Sequence, residues 1–332
     1  MQPKYPMQIY LAPMEGVIDH HMRYLLNQLG GIDLCVTEFI RVSKTVLPSH
    51  IFLSACPELT PLTERQSGEE SKYGSTNTTR VQLLGSDPEL IALNAQKAAE
   101  LGATAIDLNF GCPAKTVNRS YGGARLLDNT RLLHDIVKAT RECVPSTTLV
   151  TAKIRLGYED RGSYLHNAMA IAEAGADELV VHARSKADGY KPPAYWGYIN
   201  EIQQQLDIPV IANGEIWTVD DYIACCEQSG CDSIMLGRGL LSRPDLGLAI
   251  KAHQRGEDYQ YMDWPQIAEL ALKLLRLTQV YYPPKHMGNR IKQWLFYLMR
   301  SYPQAGTLFE NIKRSRDFEF IEEALISQTK TQ

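Results

Sequence analysis

A chain of 332 residues can bury a sizeable core and suits one large domain with a smaller companion, so a single small module is excluded. With 44% apolar and 22% charged residues it reads as a globular protein, and 34 basic against 38 acidic residues give a net charge of −4 that does not advertise nucleic acid. Seven cysteines, with no CxxC pair and no zinc-ligand spacing, read as reduced thiols of a cytoplasmic protein; with no run near the roughly 18 apolar residues of a membrane span, a metal centre, export and membrane spanning are disfavoured.

Eight short β-branched or aliphatic runs each end in a polar or glycine-bearing tip. In chain order they are QIYLAPM, LCVTEF, RVQLLG, AIDLNFG, LVTAKIRL, ELVVHAR, IPVIANGEI and SIMLGRG. Between most of them lie helical periodicities such as PELIALNAQKAAELG and YLHNAMAIAEAG, so strand alternates with helix and the sheet is predicted parallel. The segments LGATAID, AGADELV and SGCDSIM form a weak repeat of glycine stop, acidic residue and strand start. Eight such units within residues 1–250 predict an α/β fold, a (β/α)8 TIM barrel, whose active site lies at the C-terminal ends of its strands. A doubly wound sheet competes, but it would carry a phosphate-binding fingerprint, and neither GxGxxG nor GxxxxGK[ST] occurs.

Residues 60–79 are polar and read as a long surface loop between the second and third strands. After residue 255 the strand signal ends, and residues 255–332 read as a small all-α helical domain. Its first helix opens with Asp263 as N-cap and Pro265 in the first turn; NRIKQWLFYLM and FEFIEEALI follow with helical spacing. From Lys285 to Arg316 there are seven basic residues, Arg290 and Lys292 among them, against one acid, Glu310. Interleaved with Trp294, Phe296, Tyr297 and Tyr302, they suit phosphate contacts and base stacking; the plainer alternative is a solvated helix surface over an aromatic core.

A barrel gathers its strand tips. The loops after strands seven and eight are the usual phosphate site, and Asn213, Gly214 and Glu215 with Gly237 and Arg238 offer backbone amides and one arginine there. A phosphate beside Gln82, Lys153 and His182 predicts a phosphorylated cofactor with a heteroaromatic ring, which FMN satisfies; Lys153 would face the charge of its reduced form. Taken singly, Lys153 is as readily a structural ion pair and His182 a hydrogen-bonded core residue. Cys112 lies between Gly111 and Pro113 in a turn beyond a strand tip, where burial is less natural than for an ordinary core cysteine. With a reference pKa of about 8.5 its thiol can serve as a general acid at neutral pH, or as a nucleophile if a base lies close.

The segments LAPMEGV, DLNFGCPAKTVNRSYGGARLL, AKIRLG, VHARSKADGY, VIANGEI and IMLGRGLL, in order over residues 8–245, resemble the tRNA-dihydrouridine synthases. The resemblance implies a flavin-binding barrel followed by a helical domain that grips tRNA. It implies that NADPH reduces FMN, that hydride passes to C6 of a uracil and that Cys112 protonates C5. By motif, Pro13, Met14, Glu15, Gln82, Lys153, Asn213, Gly214, Glu215, Gly237 and Arg238 would hold FMN, with His182 added. KTVN, NGEIW and NRIKQWLFYL resemble the bacterial class C members, which modify position 16 of the D-loop; there Glu38, Asn109 and Arg290 would contact the RNA, with Lys292 on the same basic helix. A monomer is expected. The rival readings are a Schiff-base lyase using Lys153, a reductase of free pyrimidines, and a non-catalytic tRNA-binding protein.

Overall fold

The computed structural model describes residues 6–59, 78–283 and 286–330. Most of the polar segment 60–79, and Lys285 of the basic run, therefore lie outside the described residues. All eight expected strands form: β1 (Ile9–Leu11), β2 (Leu34–Val36), β4 (Thr79–Leu84), β5 (Ala105–Phe110), β6 (Leu149–Arg155), β7 (Glu178–His182), β8 (Val210–Asn213) and β9 (Ile234–Leu236). A ninth, β3 (Ile40–Arg41), had no sequence signal at two residues long. The strands pair in parallel in the order β2-β1-β9-β8-β7-β6-β5-β4-β3, and a further β2–β4 pairing closes a ring of eight, leaving β3 attached to β4 alone.

The alternation of side chains along each strand sends every second residue inward. Tyr10, Ala12, Val36, Val180, Ile211 and Met235 form an apolar layer there. Arg80 and Glu178, near the N-terminal ends of β4 and β7, pair at 2.9 Å, and the Tyr10 hydroxyl donates to Glu178 at 2.9 Å. Two residues further along β4 the next inward position is Gln82, so the inward positions of this strand stay polar toward its C-terminal end.

The helices through residue 229 are α1 (His20–Leu29), α2 (Ser49–Ala55), α3 (Pro88–Glu100), α4 (Lys115–Asn118), α5 (Thr130–Cys143), α6 (Tyr164–Glu173), α7 (Trp196–Gln205) and α8 (Val219–Ser229). Local chemistry fixes their starts: Asp87 Oδ1 accepts from the Leu90 amide at 3.0 Å, and Asn129 Oδ1 from that of Leu132 at 3.1 Å. Each cap satisfies a backbone donor that the first helical turn leaves without a partner.

The described chain falls into two compact units. One carries all nine strands and comprises the segment ending at Pro13, Asp33–Ile216 and Asp220–Leu236. The other gathers Met14–Ile32, Trp217–Val219 and the chain from Gly237 onward. It contains α1 and six further helices: α9 (Arg238–Ser242), α10 (Leu246–Gln254), α11 (Trp264–Tyr281), α12 (Asn289–Leu298), α13 (Pro303–Ile312) and α14 (Phe318–Ile326). Asp263 caps α11 in a reciprocal box: its Oδ1 accepts from the Gln266 amide at 3.1 Å while Gln266 Oε1 accepts from the Asp263 amide at 2.9 Å.

Within this unit Trp294 is 1% exposed, donating from Nε1 to the Leu241 carbonyl at 3.0 Å, and Tyr302 is buried too. The plainer reading therefore holds for these two rings, which belong to the core and are not available for stacking on bases; Phe296, 67% exposed, remains outside. No helix among the described residues is long and apolar enough to cross a membrane.

Candidate active site

The Cys112 loop begins where β5 ends, and its backbone is fixed from three sides. Asn109 Oδ1 accepts from the amides of Gly111 at 3.0 Å and Cys112 at 2.9 Å. The Cys112 carbonyl accepts from Asn118 Nδ2 at 3.0 Å and from the Ala124 amide at 3.0 Å. Gly111 O accepts from Arg155 Nε at 2.9 Å. Gly123 passes so close that a Cβ there would stand 2.8 Å from the Cys112 carbonyl oxygen, and its φ of +60° is one that L side chains rarely adopt. The thiol itself is more enclosed than the turn suggested: Cys112 is 9% exposed and packs with Leu84 and Val117, beside Phe39 and Ala114.

Asn109 leads into the barrel. Its Nδ2 donates to Gln82 Oε1 at 2.7 Å, Gln82 Nε2 donates to Asp107 Oδ2 at 2.7 Å, and Thr151 Oγ1 donates to Asp107 Oδ1 at 2.7 Å. Register makes this possible, because Gln82 lies opposite Asp107, and Asp107 opposite Thr151, on successive strands. Burial raises the Asp107 pKa, against the pull of the Gln82 and Thr151 donors and of Arg80 and Lys153.

A second network lies on β6 to β9. Lys153 Nζ donates to Asn213 Oδ1 at 3.0 Å, and Asn213 Nδ2 donates to the Met235 carbonyl at 2.7 Å, which turns the amide oxygen toward the lysine. Burial, and then the neighbouring Arg155, lower the Lys153 pKa to about 8, with Asp107 opposing. A buried amine whose hydrogen-bond acceptor is a neutral amide fits an anionic ring system beside it; by itself it also suits a Schiff-base nucleophile.

His182 ends β7 opposite Asn213. Gly214, at φ +120°, lets the chain pass this imidazole, since a Cβ there would lie 2.7 Å from His182 Cδ2. Glu215 follows at φ 60°, and its carboxylate is paired with the buried guanidinium of Arg184. Arg184 Nε in turn donates to the Lys191 carbonyl at 2.7 Å. Within the stranded unit, hydrogen bonds or register thus connect Gln82, Asn109, Cys112, Lys153, His182 and Asn213, while Glu215 is engaged by Arg184. Pro13 and Glu38 follow β1 and β2 and are half-buried.

The remaining candidates belong to the helical unit. The Met14 carbonyl accepts from the amides of Val17 at 3.0 Å and Ile18 at 2.9 Å, and Glu15 is exposed. Gly237 precedes α9, and the Arg238 guanidinium lies 5.0 Å from the Trp217 ring centre. Arg290 is in an ion pair with Asp19 at 2.8 Å, and Lys292 donates to the Ser315 carbonyl. Sequence reasoning gave no role to Asp107 or Tyr190. For Asp107 a signal existed, since it stands two residues before Asn109 on the same strand face. Tyr190, whose ring is 5.2 Å from the Arg155 guanidinium, lies in a loop where no periodicity could single it out.

A family model described as dihydrouridine synthase matches residues 10–329. The chain is 51% identical over 311 residues to a tRNA-dihydrouridine(16) synthase of Pseudomonas putida, covering 94% of each chain. It is 50% identical over 309 residues to one of Shewanella oneidensis, covering 92% of this chain and 93% of that one. Among solved structures it resembles TcOYE with pHBA, at TM-score 0.50 and 11% identity over 75% of this chain and 90% of that one. It also resembles histamine dehydrogenase from Rhizobium sp. 4-9, at TM-score 0.53 and 15% identity, over 81% of this chain and 49% of that one, so it spans about half the length of that protein. At such identities the two structures speak for the barrel fold.

Proposed function

The chain belongs to the dihydrouridine synthase family, and we propose that it reduces the C5–C6 double bond of a uridine in the D-loop of tRNA, with FMN as cofactor and NADPH as reductant. Relatives at about half identity carry the designation 16, which supports position 16 as the target. The observation that carries the reading is a thiol on a loop whose backbone amides are held by Asn109, in the same barrel as a buried lysine that donates to the neutral amide of Asn213.

The donor set fits FMN: Lys153 would neutralise the charge of the reduced ring, Gln82, His182 and Asn213 would meet its polar edge, and the amides of 213–215 and 237 with Arg238 would take the phosphate. Pro13, Met14 and Glu15 complete the proposed cofactor residues. Bound there, the flavin would supply hydride chemistry for C6 of the uracil, with NADPH as its reductant. Cys112 Sγ gives its proton to C5 as that carbon gains electron density, and the thiolate left behind is reprotonated from solvent. Asn109 uses one Nδ2 hydrogen toward Gln82, which leaves the second for a uracil carbonyl. Glu38, Arg290 and Lys292 are the other proposed RNA contacts. Residues 1–250 act as the catalytic part and 255–332 as the part that grips tRNA, in a cytoplasmic monomer.

The test begins with the visible absorption of the purified protein and the identity of any chromophore released by heat. The Cys112→Ala enzyme is expected to keep FMN and its reduction by NADPH while forming no dihydrouridine. A colourless protein that FMN cannot reconstitute would overturn the cofactor assignment; full dihydrouridine synthesis by Cys112→Ala would overturn the acid.

A further inference from the structure

We propose that Asp107 is a positioning residue: by accepting from Gln82 it sets the direction of an amide relay that holds the backbone of the Cys112 loop. The inference rests on the reading of Cys112 as the proton donor. The direction of the relay is fixed by groups whose hydrogen-bonding sense cannot change.

The amides of Gly111 and Cys112 can only donate, so the atom of Asn109 that meets them at 3.0 and 2.9 Å must be its oxygen. Its nitrogen then points to Gln82, and the Gln82 atom 2.7 Å away must accept. That turns Gln82 Nε2 toward position 107, where only an acceptor closes the chain; Asp107 Oδ2 lies there at 2.7 Å. The other carboxylate oxygen takes the Thr151 hydroxyl at 2.7 Å, so both oxygens are occupied by donors. The Asp107 carboxylate thus locks the Gln82 amide in the one orientation that supports the sense Asn109 takes from the two backbone amides.

Neither Gln82 nor Asn109 can reverse alone. A flipped Gln82 would aim its oxygen at the Asp107 carboxylate and its nitrogen at the Asn109 nitrogen. A flipped Asn109 would set NH2 against two backbone N–H groups and leave the amides of Gly111 and Cys112 without their acceptor, so that the loop is held only through its carbonyls. Asp107 therefore matters to proton delivery without touching substrate, and without Asp107 the loop would sample positions that misplace the thiol. Misplacement on the order of an ångström can cost about a hundredfold in rate.

The experiment uses the full chain with Asp107→Leu, which removes the acceptor, and Asp107→Asn, whose oxygen can still accept from Gln82 while its NH2 donates to Thr151. Amide hydrogen exchange of Gly111 and Cys112 is followed in the apo-protein. Flavin reduction by NADPH and dihydrouridine formation in tRNA are measured separately in the FMN-loaded protein. Asp107→Leu is expected to speed exchange at those two amides by about tenfold or more, with the barrel's other strands unchanged. It is expected to slow the uridine step about a hundredfold with flavin reduction nearly intact, and Asp107→Asn to restore the protection.

Equal protection of the two amides in Asp107→Leu overturns the proposal, as does an equal loss in both half-reactions, the mark of a residue that serves only folding or cofactor binding. Should Asp107→Leu not fold, Gln82→Met cuts the relay one link later, and unchanged exchange in that apo-protein overturns it as well. Because exchange is read without flavin, a relay that behaves as expected beside a fully active Cys112→Ala would leave Asp107 in place and remove the acid reading alone.

Discussion

Lys153 donates to a neutral oxygen, and burial first, then Arg155, hold its pKa near 8. A basic group with a lowered folded pKa costs stability below that value, because the unfolded chain binds the proton more readily; the cost fades as pH rises from about 8 toward the unfolded value of about 10.4. Lys153→Met is therefore expected to make the apo-protein more stable at neutral pH, with the gap to the unsubstituted chain narrowing by about 1–2 kcal/mol between pH 8 and 10. Urea midpoints of the two proteins at both pH values check this, and a constant gap would mean that the lysine is not strained. Its place at a strand tip was legible in LVTAKIRL, and so were Gln82, Asn109 and Asn213 in theirs. The enclosure of Cys112 was not, because Leu84 and Val117 reach it from β4 and α4, and only tertiary packing brings them there.

At the scale of elements, the loop from Cys112 to Ala124 folds back on itself through Gly123. Gly123→Ala sets a Cβ against the Cys112 carbonyl oxygen in a left-handed conformation, so a loss of about 1–2 kcal/mol is expected, together with a slower uridine step and unimpaired flavin reduction. Thermal unfolding and the two half-reactions measured side by side check it. The eight strands were readable because fully covered parallel strands are nearly continuous apolar runs that end abruptly in polar tips. The helices α3, α6 and α11 were readable from period and caps. The short elements were not: β3 and the four-residue α4 hold their shape through neighbours, with too few residues to show a period.

At the scale of the whole molecule, the basic run of the helical unit is less free than its composition suggested. Arg290 pairs with Asp19, whose carboxyl is held below the usual range: burial alone would raise its pKa, and Arg290, the Met22 amide and the Tyr282 hydroxyl outweigh that. An acid with a lowered folded pKa adds stability above its ordinary value of about 3.9 and loses it as pH falls through the folded one. Arg290→Gln is expected to cost about 3 kcal/mol near neutrality, less in acid, as for a partly buried pair that loses one partner. If Arg290 also meets tRNA phosphate, the same variant lowers the slope of log affinity against log salt by about one; an unchanged slope would confine Arg290 to its internal pair. The end of the strands could be read from where β-branched runs cease, but the inclusion of Met14–Ile32 and Trp217–Val219 in the helical unit could not. Which arginines are spoken for could not, since Asp19 lies 271 positions before Arg290 in the chain.

Closure of the ring through β2 and β4 bears on how this protein behaves in crowded company. An open sheet offers two rows of unpaired peptide groups on which another chain can add a strand, a route to aggregation. Here the ring has none, and among the described strands the one left on a border is β3, two residues long with the exposed Arg41 as its second. So short and charged a border gives an incoming strand almost nothing to template on. The closure that removes the sheet's edges is the same one that gathers the tips bearing Gln82, Asn109, Lys153, His182 and Asn213.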